Sequence, residues 1–180
     1  DYALRLDVEK IKRKSAFLAQ SIVKIRECES AEELLGIEGE AASVYFSVFD
    51  DLILQQKTDF YFQGRNKRPP LDSVNAMLSF AYSLLAGMCG SALETVGLDS
   101  YVGFFHTDRP GRISLALDLM EEFRSLMADR FVLTLINKKI MKPEYFMKKE
   151  NGKWKAMFDT KECVQALQLI KDMRWEDGTI

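Results

Sequence analysis

The chain has 180 residues, 47% hydrophobic and 29% charged, with a formal net charge of -2. That length and balance suit one compact globular domain with a core of its own. The near-neutral charge argues against a generic polyanion binder, so any nucleic-acid contact has to come from local basic patches. Three cysteines, Cys28, Cys89 and Cys163, stand far apart with no C-x-x-C pair. This speaks against a disulfide framework or a zinc knuckle and fits a reducing cytoplasm. No uninterrupted apolar run reaches the roughly 20 residues of a membrane span, and the opening "DYALRLDVEKIKRK" lacks the pattern of a signal peptide. With no initiating Met and a tail ending "WEDGTI", the chain reads as a fragment of something longer.

From Asp7 to about Cys28 the apolar residues recur at helical spacing between Lys and Arg, which predicts one amphipathic helix. Ser30 with Glu33 three positions on fits a capping box, opening a segment that Gly36 and Gly39 are expected to split into a short helix and a longer one to about Leu54. The stretch "FYFQGRNKRPPLD" is a loop, because Pro69 and Pro70 cannot continue a helix. Asp72 or Ser73 then caps a helix that is apolar nearly all round and reads as centrally buried, with Gly97 as its stop. After the connection "LDSYVGFFHTDRPGR", Ser114 is expected to cap one further long helix to about Lys139. The last part alternates hydrophobic and polar residues about an Asn151-Gly152 pair, a hairpin signal. Thr160 then caps a final helix to about Met173. The fold class is therefore mainly α: a single multi-helix domain over residues 1–180 with one small β-hairpin near residues 145–158.

Three places could carry chemistry. In the second helical segment Glu38 falls on the row Ala42, Tyr45, Phe49 and Leu52, otherwise apolar. A carboxylate aimed inward has to be paired, protonated or metal-bound; alternatively Glu38 lies at a helix start, where free amides stabilise it. On the helix after His106, Asp118 and Glu121 share a row with Ser114 and Ser125, which leaves room for a ligand but equally describes a solvated acidic face. His106, the only histidine in the chain, is either packed under its loop or a ligand. No cysteine sits in an obviously electropositive turn and no G-x-S-x-G elbow appears, so nucleophilic catalysis has little support. One imidazole with two carboxylates is a coherent set for Mg²⁺ or Mn²⁺ and a poor one for zinc. Arg65, Lys67 and Arg68 follow Phe60, Tyr61 and Phe62, so cations for phosphates adjoin rings able to stack on bases, and Arg109 and Arg112 repeat the theme beside His106. A solvated basic loop has the same composition.

The segments "LLGIEGEAASVYF", "GRNKRPPLDSVNAMLSFAYSLL" and "VGFFHTDRPGRISLALDLMEEFR" resemble, in order and spacing, the C-terminal helical domain of the universal CRISPR-associated integrase family. The resemblance implies a metal-dependent DNA endonuclease and integrase of spacer acquisition, in which a 3'-hydroxyl of captured DNA attacks a phosphodiester at a CRISPR repeat. It implies that Glu38, His106 and Glu121 hold Mg²⁺ or Mn²⁺, with Asp118 able to share or take the third place. It gives Asn75 a supporting role and Arg124 a structural or phosphate-facing one, and Arg65, Lys67, Arg68, Arg109 and Arg112 become candidate DNA contacts. It further implies DNA partners (protospacer and repeat), a homodimer in the full-length form, a small companion protein of the same operon, no membrane and a prokaryotic cytoplasm. The family's N-terminal β-rich domain has no counterpart in this sequence. The competing class is a non-catalytic helical scaffold or interaction domain in which the three residues are merely solvated.

Overall fold

The computed structural model describes residues 7–66, 69–107, 109–148 and 154–156. The chain forms two compact units, Asp1–Arg65 and Asn66–Ile180.

In the first unit α1 (Val8–Glu27) begins where the Asp7 carboxylate accepts the Lys10 amide, and it packs against α2 (Ala31–Phe46). Ser30 Oγ accepts from the Glu33 amide at 3.1 Å, and Glu33 reaches back to the amide of Glu29 at 3.2 Å, a capping box displaced by one residue. The expected break at Gly36 and Gly39 does not occur. A well-capped helix tolerates a glycine at about 1 kcal/mol, and α2 runs through both. It ends instead at an aromatic cluster, where Tyr45, Phe46, Phe49 and Phe62 sit with ring centroids 4.9 to 5.9 Å apart. A 3₁₀ turn, Asp50–Leu52, follows. The Asp50 carboxylate takes the Phe62 amide at 2.7 Å and Lys57 Nζ at 3.0 Å, so the chain returns beside this cluster.

The second unit is built on α3 (Ser73–Thr95), which buries residues along most of its length and is packed by α4 (Ser114–Phe123) and α5 (Arg130–Asn137). Its cap is Asp72, itself buried, which accepts the Asn75 amide at 2.6 Å and the Asn75 side-chain amide at 2.7 Å. Asn75 in turn accepts the Asn66 amide at 3.0 Å, and Asn66 accepts that of Leu71 at 2.7 Å, so the proline loop is tied at both ends. Gly97, at φ +81, ends the helix as expected. By length and composition alone α3 is long and apolar enough to cross a membrane. Its buried Asn75 and its packing against α4 and α5 are those of a core helix.

One expectation fails at the next helix and another is refined. Ser114 is not a cap but the first residue of α4; it is fully buried and donates to the Thr107 carbonyl at 3.3 Å. The helix's free amides are met by a distant group, with Leu115 and Ala116 both donating to the Ser100 carbonyl. The helical run then continues without a gap to Asn137, as expected, but Arg124–Asp129, between α4 and α5, is wound as a π-turn. The extra residue rotates the apolar row. Phe123 is 40% exposed, while Ala128 and Val132 are buried.

A short 3₁₀ turn, Pro143–Tyr145, leads into β1 (Phe146–Lys148), which pairs antiparallel with β2 (Trp154–Ala156) so that Met147 faces Lys155 across the ladder. Asn151-Gly152, Cys163 and the helix expected from Thr160 to Met173 lie outside the described residues. The architecture is mainly α, as the sequence predicts.

Candidate functional site

His106 lies on the loop between α3 and α4, held there by Asp118 on α4. One carboxylate oxygen accepts the amides of Phe104 at 2.5 Å and Phe105 at 2.9 Å. The other accepts the His106 amide at 2.9 Å and stands 2.6 Å from His106 Nδ1. An ionised carboxylate only accepts, so Nδ1 carries the proton and Nε2 is the nitrogen presented to an outside ligand. Burial pushes the Asp118 carboxyl up, but the His106 ring and the three backbone amides outweigh it and hold the group below its ordinary value of 3.8. Gly103 makes the loop's close approach possible. A Cβ there would fall 2.5 Å from Ser114 Cβ and closer still to the His106 carbonyl oxygen.

One turn on, Glu121 pairs with Arg124, whose NH1 donates at 2.8 Å to one carboxylate oxygen and lies 2.7 Å from the other. The Arg124 guanidinium sits 5.7 Å from the centroid of the Tyr82 ring. The Tyr82 hydroxyl donates to Asp129, a carboxylate 1% exposed.

Several sequence expectations change. Glu38 does not face a core: it is exposed and midway along α2, a helix that buries none of its residues. The row that pointed it inward was extended through Phe49 and Leu52, which lie beyond the end of α2. Its alternative placement at a helix start fails too, because α2 begins at Ala31. Phe104 and Phe105, just before the histidine, are 86% and 47% exposed and touch each other edge to face. Of the rings expected to stack on bases, Phe60 and Phe62 are buried and only Tyr61 is exposed. Arg109 is exposed and Arg65 and Arg112 are half-buried, while Lys67 and Arg68 lie outside the described residues. Asn75 is a loop clamp, tied to Asp72 and Asn66. Cys89 is buried and burial pushes its thiol up, which disfavours the reactive thiolate.

Among the described residues no group of three or more His, Cys, Asp or Glu side chains is arranged to hold a metal ion. Asp118 comes together with His106, and Glu121 with Arg124; Glu38 belongs to the first unit. Sequence reasoning did not find Tyr82 and Asp129. The one signal available was a hydroxyl and a carboxylate on otherwise apolar helix faces.

Comparison with known proteins decides the family. The model for "CRISPR associated protein Cas1" matches residues 2–168. The chain belongs to the Cas1 family. It is 52% identical over 138 residues to "CRISPR-associated endonuclease Cas1 1" of Chlorobaculum tepidum, covering 77% of this chain and 40% of that relative. To "CRISPR-associated endonuclease Cas1" of Leptospira interrogans it is 46% identical over 159 residues, covering 88% and 62%. Among solved structures, a casposase bound to integration product superposes with a TM-score of 0.70 at 30% identity, covering 89% of this chain and 48% of that one. The chain thus spans about two fifths to three fifths of the length of these Cas1 relatives.

Proposed function

We propose that this chain is the catalytic part of a CRISPR-adaptation integrase and endonuclease that joins DNA to DNA by attack of a 3'-hydroxyl on a phosphodiester. The observation that carries the reading is the His106–Asp118 pair: a carboxylate that fixes Nδ1 and the loop backbone turns Nε2 outward as a preformed ligand, in a chain of the Cas1 family. In the reaction a P–O bond forms to the incoming 3'-oxygen and the P–O bond to the leaving 3'-oxygen breaks. The proton lost by the attacking hydroxyl is balanced by one gained by the leaving group.

The donor set fits Mg²⁺ or Mn²⁺, which take one imidazole with carboxylate oxygens, water and phosphate. His106 Nε2, Glu121 and, through the family resemblance, Glu38 are the residues proposed to hold the ion. When bound, it would lower the pKa of the attacking hydroxyl and neutralise charge growing on the phosphate. Asp118 has both oxygens engaged by the loop, so its proposed role is to orient His106 rather than to be the third ligand. Arg109 and Arg112, close in sequence to His106, and Arg65, Lys67 and Arg68 are proposed to contact phosphates. Protospacer and repeat DNA are the proposed substrates, and a homodimer with a small companion protein is the proposed assembly of the full-length form. The casposase neighbour, held on integration product, supports the DNA-joining reading.

Strand transfer onto a repeat-bearing duplex, or resealing of a branched DNA, in Mn²⁺ tests this. His106→Ala is expected to abolish strand transfer while the circular-dichroism spectrum stays as in the parent. Full activity in that variant overturns the reading in favour of a non-catalytic scaffold.

A further inference from the structure

The π-turn brings together groups that a regular helix would separate. Arg124 opens it and Asp129 closes it, and its wide bond runs from the Arg130 amide to the Ser125 carbonyl. In an α-helix side chains three or four apart stack on one face; with one more residue in the turn, residues five apart do so. Tyr82, across from the turn on α3, exploits that spacing. Its hydroxyl donates to Asp129 and its ring lies beneath the Arg124 guanidinium at 5.7 Å, so a single side chain fastens both ends of the turn.

Arg124 then holds Glu121, with NH1 2.8 and 2.7 Å from the two carboxylate oxygens. An arginine on a long flexible stem loses much rotamer freedom when it makes such a pair. A ring under its plane and a pinned backbone turn lower that cost by restricting it beforehand. The Tyr82 hydroxyl is fixed by a carboxylate only 1% exposed, so this anchor does not drift with solvent.

We infer that Tyr82 is a positioning residue that sets the rotamer of Glu121 through Arg124, with Asp129 and the π-turn as its anchor. The inference deepens the proposed function and rests on its reading of Glu121 as a metal ligand. Tyr82→Phe removes the hydroxyl and keeps the ring; Tyr82→Leu removes both. Loss of such a supporting group costs about 10- to 100-fold in metal affinity.

The test titrates the whole chain with Mn²⁺ alone, read by electron paramagnetic resonance, and records the Arg124 Nε–Hε NMR signal before metal is added. Glu121→Gln serves as the reference. Expected are a ring-shifted Arg124 signal in the parent, a changed signal in Tyr82→Leu, and Mn²⁺ affinity about 10-fold or more weaker in Tyr82→Leu, with Tyr82→Phe between it and the parent. A merely structural tyrosine would lower the melting temperature and leave both readouts of the folded protein unmoved. If Glu121→Gln loses Mn²⁺ binding while Tyr82→Leu binds within twofold of the parent, the positioning role is overturned and the proposed function stands. If Glu121→Gln binds Mn²⁺ as the parent does, the ligand assignment fails and the inference with it. An Arg124 signal unchanged in both Tyr82 variants overturns the inference whatever the metal does.

Discussion

Glu38 stands exposed midway along α2, a helix that buries none of its own residues, whereas Asp118 on α4 has one oxygen on two backbone amides and the other on His106. Both lie in segments that carry the family resemblance, yet they are prepared differently. A solvated carboxylate keeps its hydration until something replaces it, so Glu38 can be removed without loosening its helix. Asp118 is part of the reason the histidine loop has a shape at all. Two acids can therefore be equally needed for activity and wholly unequal for stability.

Replacing Asp118 by Ala breaks this comparison most severely. It removes the acceptor of three backbone amides and the partner of His106, and a hydrogen bond to a charged group contributes about 1.5–3 kcal/mol. Denaturant unfolding should show a loss of about 2–3 kcal/mol, against less than about 0.5 kcal/mol for Glu38→Ala, an ordinary surface change. Equal losses in the two variants would erase the distinction. Acid offers the same contrast without mutation. Because the folded-state carboxyl of Asp118 is held below 3.8, its stabilisation is complete above that value and lost as pH falls through the lower folded one. The Phe104, Phe105 and His106 amide signals should titrate together with a midpoint below 3.8. A midpoint at or above 3.8 would mean that the amides are not bonded to an ionised Asp118.

Gly103→Ala sharpens the comparison by disturbing the loop from its other side. The new methyl would lie within 2.5 Å of Ser114 Cβ and press on the His106 carbonyl, and neither neighbour is the end of a flexible chain. Overpacking of this kind costs about 1–3 kcal/mol. The loop has to shift, so strand transfer should fall together with stability. A variant as stable and active as the parent would show that the loop is looser than the Asp118 bonds indicate.

How legible the sequence was depended on how local the cause was. The Asp72 cap, the Gly97 stop and the extent of α1 follow from residues a few positions apart, and these were read correctly. The burial of Glu38 was misread because a helical row was carried through Phe49 and Leu52, past the point where α2 ends. That end is set by Phe62 folding back on Phe46 and Phe49, which no local pattern announces. The same holds for the start of α4, capped by the Ser100 carbonyl, and for the π-turn fastened by Tyr82 from 47 residues away. The histidine was visible as a candidate; the carboxylate twelve positions on was visible as an acid, but its place behind the histidine was not.

The smallest expected effect concerns the glycine read as a break. Gly36 lies inside α2 with nothing within 4 Å of the position a Cβ would take, and it does not have positive φ. If no other element needs that space, alanine there only restricts the unfolded chain, and Gly36→Ala should stabilise by about 0.4–1 kcal/mol. Thermal melting measures this directly. The result bears on the opening contrast, because an α2 that gains stability while strand transfer is unchanged is a helix whose surface near Gly36 is idle. An α2 that gains stability and loses strand transfer is one that needs a small residue two positions before Glu38 for something to approach.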